Sequence, residues 1–232
     1  MDYIWGLLSL KQEKWQLKTY SPGPVSVLCE KLGISRIMAQ ALVGRGITTE
    51  EEAKRFLRSD LGDLHDPFLM EGMEKAAKRL ALAITSKEEI AVWGDYDADG
   101  VTATALLMRV LQKLGASVRY HLPSRLQEGY GLNPSGIRKL AEAGVRLLIT
   151  VDSGIAASEE VALANELGMD VIVTDHHEPQ DKIPDAFSVL NPKLGTYPFR
   201  ELAGVGVAFK LSQAVASLLG KGDLSEPSEA KL

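Results

Sequence analysis

The sequence has almost no cysteine and no long apolar run. Its single cysteine, Cys29, excludes an internal disulfide and argues against a thiolate metal cluster. No stretch approaches the roughly 20 apolar residues that span a bilayer. Residues 1–5 lack the basic and apolar segments of a secretion signal. The sequence therefore predicts a protein of the reducing cytoplasm without a membrane partner.

An excess of basic charge is also missing. Lys and Arg number 26 against 31 Asp and Glu, which leaves a formal net charge of −5. Surfaces that bind phosphates are usually basic, so the overall charge does not by itself indicate a nucleic-acid partner. However, clustered carboxylates that hold divalent cations reverse the local electrostatic field, so a phosphate-bearing ligand is not excluded.

The pattern of apolar residues divides the chain into three parts. Residues 1–75 are predicted to form a small helical segment, with helices over residues 25–32, 34–43 and 49–57. In residues 76–219, short apolar runs alternate with amphipathic ones, which predicts strands alternating with helices. Residues 220–232 are polar and are predicted to be a flexible tail.

The middle part is typical of an α/β fold. Strands are predicted over residues 90–93, 117–122, 147–151, 171–174 and 187–190. Their alternation with helices favours a Rossmann-like, mostly parallel sheet with helices on both faces. Two of these strands are almost continuously apolar, as expected of strands that helices cover on both sides.

Acidic and histidine side chains follow three of the predicted strands. They are, in chain order, Asp95, Asp97, Asp99, Asp152, Asp175, His176 and His177. Ligands of parallel sheets bind outside the carboxyl ends of the strands. Carboxylates forced together there would raise one another's pKa and weaken the fold unless cations neutralise them. The mixture of oxygen and imidazole ligands favours Mn²⁺, with Mg²⁺ as the alternative.

A site for two such ions indicates a phosphoesterase. Divalent ions about 3.5–4 Å apart clamp a phosphoryl group and lower the pKa of a bridging water, which becomes the nucleophile. His176 and His177 are adjacent, so they are not expected to point the same way. One is predicted to bind metal while the other faces the substrate.

The spacing of the first acidic cluster has two interpretations. Asp95, Asp97 and Asp99 alternate, so they would share one face of an extended segment. A helix would then begin after Gly100, with free N–H groups toward an anion. The same pattern begins an EF-hand loop, which requires a Glu six residues after its glycine. That position holds Leu106, which disfavours the calcium loop.

Six segments carry a more specific signal. They are VWGDYDADGVTATALL (92–107), EGYGLN (128–133), TVDSGI (150–155), VTDHHEP (173–179), NPK (191–193) and LAGVGVAFKL (202–211). In order and spacing they resemble the RecJ family of single-strand-specific 5′→3′ DNA exonucleases, within the DHH phosphoesterase superfamily. The resemblance implies metal-dependent hydrolysis of single-stranded DNA in repair and recombination. It also implies single-strand-binding protein as a further partner.

The resemblance implies a ligand set for two metal ions. Asp97 and Asp99 match the family's first-motif ligands, with Asp95 close by. Asp152 matches the aspartate expected to bridge both metals. His176 matches the metal-binding histidine of the third motif.

The resemblance also implies residues that act on the substrate. His177 would face the scissile phosphate, and Asp175 would orient a histidine from behind. Arg125 is expected to meet a backbone phosphate. Tyr130 is expected to stack on a base.

The last predicted helix leaves two questions open. Gly204 and Gly206 lie at its start, where they would either admit a phosphate or permit a close helix contact. The family's fourth motif, whose aspartate completes the metal site, is not visible, nor are the DHHA1 and OB-type domains that follow it. The resemblance therefore implies the N-terminal portion of such an enzyme, with weak metal binding and little turnover by itself.

Two alternative functions remain. A DHH phosphoesterase could act on oligonucleotides, cyclic dinucleotides or pyrophosphate instead of long single strands. A non-catalytic relative would bind DNA or a protein partner.

Overall fold

A computed structural model of the chain describes residues 22–58, 60–123, 129 and 131–221. The chain divides into two compact units, Met1–Asp63 and Leu64–Leu232. The domain boundary near residue 75 stays a prediction. The predictions for Arg125, Tyr130 and most of the polar tail lie outside the described residues.

The described part of the first unit contains the helices α1 (Pro22–Leu32), α2 (Arg36–Val43) and α3 (Glu50–Leu57). Helix α3 begins with a capping box. The Thr49 hydroxyl accepts the Glu52 N–H, and the Glu52 carboxylate accepts the Thr49 N–H. The buried faces of the helices share a small core of Val25, Leu28, Ala39, Leu42 and Ala53. The three predicted helices are thereby confirmed.

The second unit alternates strands and helices. After a short 3₁₀ turn, its elements are α4 (Met73–Thr85), β1 (Glu89–Trp93), α5 (Ala98–Lys113), β2 (Ser117–His121), α6 (Pro134–Glu142), β3 (Val145–Val151), α7 (Ser158–Glu166), β4 (Asp170–Thr174), β5 (Ser188–Leu190) and α8 (Gly204–Leu218). The strands pair in parallel in the order β2-β1-β3-β4-β5. The predicted α/β fold is confirmed. Within the described residues, no helix has the length and apolar character needed to cross a bilayer.

Side chains of the strands alternate between the two faces of the sheet. In β3, Leu147 and Ile149 join the core cluster that includes residues of α4, α5 and α8. Leu148 joins the opposite cluster, with residues of α6 and α7. All three side chains are completely buried. Because helices cover both faces, residues 147–149 of this strand are all apolar.

The strand order places a topological switch point between β1 and β3. Strand β2 lies on one side of β1 and β3 lies on the other. Ligands of open α/β sheets bind outside the carboxyl ends of the strands at such a point. Strands β1, β3 and β4 end at Trp93, Val151 and Thr174, directly before the three segments predicted to bind metal.

Candidate metal centre

Carboxylates from the loops after β1 and β3 meet at this switch point. One oxygen each of Asp95, Asp97 and Asp152 lie within 4.8 Å of one another. Asp152 also forms a group of the same size with ring nitrogens of His176 and His177. The Nε2 atom of His176 lies 3.0 Å from Asp152 Oδ1. Asp152 is therefore common to both groups of candidate ligands.

A sharp turn at the end of β3 presents Asp152. This residue has a left-handed backbone conformation, with φ 58°. Asp tolerates that region better than most residues, and residues held there cluster at functional sites. Gly154 follows with φ 110°, where a Cβ would lie 2.8 Å from Thr150 Oγ1. Only a glycine fits this turn without displacing the end of the strand.

Burial and neighbouring carboxylates disfavour negative charge at the site. Burial, followed by the charges of Asp99 and Asp97, raises the pKa of Asp152 to about 7. Burial also raises the pKa of Asp95, whose Oδ1 atom is buried with no hydrogen-bond partner among the described residues. Buried carboxylate oxygens normally bond to a donor or a cation. The donor set therefore fits divalent cations.

The first acidic cluster is not the extended segment that its alternation predicted. Helix α5 begins at Ala98, and Asp97 is its N-cap residue, accepting the Gly100 N–H at 2.9 Å. The predicted helix start after Gly100 is therefore wrong, because this N–H is bonded to Asp97 rather than open to an anion. Asp at an N-cap stabilises a helix start, and this preference outweighs the extended alternative. The absent side chain of Gly100 lets the loop fold back onto Asp95, where a Cβ would lie 2.6 Å from the Asp95 Cβ.

The carboxylate of Asp99 binds the N-terminus of α8. Its Oδ2 atom accepts the Gly204 N–H at 2.6 Å, and its Oδ1 atom accepts the Val205 N–H at 2.8 Å. Asp99 Oδ2 also lies 3.6 Å from His176 Nε2. Neither of the two candidate ligand groups found in the described residues includes Asp99. Its role as a metal ligand stays a prediction. Its contacts show that it binds the first N–H groups of α8.

The two roles of Asp99 predict different mutant behaviour. Asp99→Ala is expected to lower the free energy of unfolding by about 1–2 kcal/mol, because it removes a helix cap and a favourable charge at a helix N-terminus. Its Mn²⁺ affinity should fall less than that of Asp95→Asn, which changes a carboxylate whose Oδ1 atom has no hydrogen-bond partner among the described residues. Thermal unfolding and Mn²⁺ titration of both variants measure this. A greater loss of Mn²⁺ affinity in Asp99→Ala would assign Asp99 to the metal instead.

Asp175 organises the loop after β4. It is buried, and its Oδ1 atom accepts the N–H groups of His176 and His177 and bonds to Nδ1 of His177 at 2.7 Å. Its Oδ2 atom accepts the Ile155 N–H at 2.9 Å, which joins this loop to the one after β3. Burial lowers the pKa of His177, but the hydrogen bond to Asp175 and the charges of Asp175 and Asp152 together outweigh burial and raise that pKa overall. The ring orientation of His177 therefore depends on Asp175.

The first residue of α8 packs directly on Asp152. A Cβ added at Gly204 would lie 2.6 Å from both the Cβ and the Oδ1 of Asp152. A Cβ at Gly206 would meet only the Leu202 side chain, at 3.1 Å. Gly204 therefore permits a close contact between α8 and Asp152, whereas Gly206 does not contact the site. Phosphate binding by either glycine stays a prediction.

Asn191 supports the site in a way that the NPK segment alone does not reveal. Its buried side chain donates from Nδ2 to the His177 carbonyl and accepts the Lys193 N–H at Oδ1, both at 2.9 Å. Lys193 Nζ in turn lies 2.9 Å from Glu178 Oε1. The segment after β5 thus holds the backbone beside His177, which only the folded arrangement shows.

The chain is similar to known proteins in both sequence and structure. The model of the DHH family, N-terminal domain, matches residues 89–231. The single-stranded-DNA-specific exonuclease RecJ of Bacillus subtilis is 48% identical over 204 residues, which cover 87% of this chain and 26% of that protein. Thermus thermophilus RecJ in complex with Mn²⁺ has a similar structure, with TM-score 0.68, 32% identity, and coverage of 88% of this chain and 28% of that chain. Its Mg²⁺ complex gives TM-score 0.56, 30% identity, and coverage of 88% and 25%.

These similarities confirm the resemblance carried by the six sequence segments. The chain spans about a quarter of the length of these relatives.

Proposed function

Because the chain belongs to the DHH family, we propose that it carries the metal site of a phosphodiesterase that degrades single-stranded DNA from the 5′ end. The observation that carries the proposal is the convergence of Asp95, Asp97, Asp152 and His176 at the ends of three neighbouring strands. The substrate is proposed from the relatives, which are named single-stranded-DNA-specific exonucleases. A role in DNA repair and recombination is proposed from the same resemblance.

Two divalent ions are the proposed cofactors, with Mn²⁺ favoured over Mg²⁺. Asp95, Asp97, Asp152 and His176 would hold them, with Asp152 common to both ligand groups. Carboxylates suit either ion, and the imidazole favours Mn²⁺. When bound, such ions polarise a phosphoryl group and lower the pKa of a water molecule. The RecJ complexes with Mn²⁺ and with Mg²⁺ support this proposal.

His177 is proposed to act on the scissile phosphate. The Asp175 bond at Nδ1 orients the ring, and Asn191 bonds to the His177 backbone carbonyl. The raised pKa of His177 means that the ring keeps its proton to a higher pH than an unperturbed histidine does. A protonated imidazole beside the phosphate stabilises developing negative charge or donates a proton to the leaving oxygen.

The remaining partners are proposed by resemblance and general chemistry. Arg125 would pair with a DNA phosphate and Tyr130 would stack on a base. Single-strand-binding protein is a further proposed partner. A DNA substrate also suits the proposed cytoplasmic location.

Metal-dependent digestion of a labelled single strand tests the proposed function. With Mn²⁺ and the chain in excess over substrate, mononucleotides are expected to leave the 5′ end, and EDTA should stop their release. Asp152→Asn should abolish the reaction, whereas Asp181→Asn, which changes an exposed aspartate outside the site, should leave the rate unchanged. Hydrolysis of cyclic dinucleotides or pyrophosphate without hydrolysis of single strands would contradict the proposal.

A further inference from the structure

A cleft of about 390 Å³ adjoins the candidate metal centre. Its apolar lining comes from Leu132 and from residues Ile155, Ala156 and Ala157 in the loop after β3. His177 is also part of its lining. Sites for small organic ligands have volumes of about 300–1,000 Å³ and mostly apolar walls. The cleft is therefore large enough for one small ligand in contact with His177.

The cleft and the metal centre are built on the same loop. Asp152 faces the other candidate ligands, while residues 155–157 of this loop line the cleft. Asp175 connects both parts, because it bonds to the Ile155 N–H at 2.9 Å and to His177 Nδ1 at 2.7 Å. Its carboxylate is only 1% exposed, so solvent does not compete for these bonds. The cleft wall is thus held in a defined position relative to His177.

The polar lining of the cleft contains three carboxylates beside the imidazole of His177. It includes Glu160, Asp175 and Glu178, and no Lys or Arg belongs to the part of the lining that the structure describes. Lys193 offsets one of these charges through its 2.9 Å pair with Glu178. Away from His177 a phosphate would meet like charge, whereas hydroxyl and amino groups would find carboxylate acceptors. The cleft therefore fits an uncharged, partly apolar group that carries O–H and N–H donors.

We propose that this cleft binds the sugar and base of the nucleotide whose phosphate faces His177. The inference rests on the proposed function, because nucleosides flank every internal phosphate of a DNA strand. Leu132 and Ile155 would contact the flat or puckered ring faces, and Glu160 or Glu178 would accept from a sugar hydroxyl or a base amino group. Binding there fixes the adjoining phosphate against the metal centre, which is the orientation that hydrolysis requires.

Titration with two ligands tests the role of the cleft. In Mg²⁺, deoxycytidine 5′-monophosphate is expected to shift the amide NMR signals of Ile155, Ala156 and Ala157, whereas inorganic phosphate leaves them in place. Ala156 is exposed, so Ala156→Leu adds bulk to the cleft without entering the core. This variant should weaken nucleotide binding at least about tenfold and change phosphate binding by less than about twofold. The exposed Ala143→Leu, at the end of α6, is the matched control and should change neither.

The outcomes distinguish a failure of the cleft proposal from a failure of the proposed function. Equal losses for the nucleotide and for inorganic phosphate would overturn the cleft proposal, and so would unchanged nucleotide affinity in Ala156→Leu. Either result leaves the metal-dependent phosphate site in place. Failure of inorganic phosphate to bind in Mg²⁺ would instead contradict the proposed function, and the cleft proposal would fall with it.

Discussion

Replacing Asp152 with Asn is expected to lower the affinity of the chain for Mn²⁺ by more than about 100-fold. Residues that only orient a metal ligand typically contribute about 10–100-fold to affinity, and Asp152 is a candidate ligand common to both groups. Asn keeps the size of the side chain and tolerates the left-handed conformation at this position. The loss would therefore report the missing charge rather than a change of fold. Calorimetric titration with Mn²⁺ measures it.

The same substitution should have the opposite effect on the metal-free chain. The pKa of Asp152 is about 7 in the folded state against a usual value of 3.8. The folded state therefore retains a proton that the unfolded state releases. This contribution to stability is complete below pH 3.8 and is lost as the pH rises through about 7.

In EDTA at about pH 8, Asp152→Asn is accordingly expected to raise Tm by at least about 2 °C, since it removes a buried charge. At about pH 5 the wild-type carboxyl is mostly protonated, so the increase should be much smaller. Thermal unfolding at both pH values measures the difference. Equal increases at the two pH values would show that ionisation of Asp152 is not the cause. Mn²⁺ should raise the Tm of the wild-type chain and leave that of Asp152→Asn nearly unchanged.

Replacing Gly204 with Ala is expected to destabilise the second unit by about 1–3 kcal/mol, the usual effect of overpacking. The new Cβ would lie 2.6 Å from the Cβ and Oδ1 atoms of Asp152, so the helix or the carboxylate must move. Movement of the helix would also strain the bonds from its first N–H groups to Asp99. Denaturant unfolding and Mn²⁺ titration should both show a loss.

Gly206→Ala is the matched control for this prediction. It lies on the same helix, but its Cβ would meet only the Leu202 side chain, whose nearest atom is 3.1 Å away and can shift. Ala also has the higher helix propensity, by up to about 1 kcal/mol. Gly206→Ala should therefore be neutral or stabilising. Equal behaviour of the two variants would show that close contact with Asp152 does not require a glycine at position 204.

The strands could be predicted because both faces of the sheet are covered. The part of a strand that is covered on both sides is nearly all apolar, so β3 and β4 can be predicted from their short runs of Val, Leu and Ile. Their parallel pairing then follows from the helices between them. The start of α5 was harder to predict from the sequence. Asp97 could equally belong to an extended segment, and only its bond to the Gly100 N–H shows that it caps the helix.

The membership of the candidate site follows largely from the sequence. Parallel strands end at the same edge of a sheet, so acids that directly follow β1, β3 and β4 must lie near one another. The predictions for Arg125 and Tyr130 have no such support, since they rest on resemblance and on a loop outside the described residues.

By itself, the sequence determined the kind of fold, the edge at which the chemistry lies and the residue types available there. Those properties depend on local patterns and on strand order. Only the tertiary structure decided how each carboxylate is used. Asp99 bonds to the start of α8, a helix 105 residues further along the chain, while Asp95 keeps an oxygen without a protein partner among the described residues. The spacing of three alternating acids could not distinguish them, because the contacts that set them apart come from distant parts of the chain.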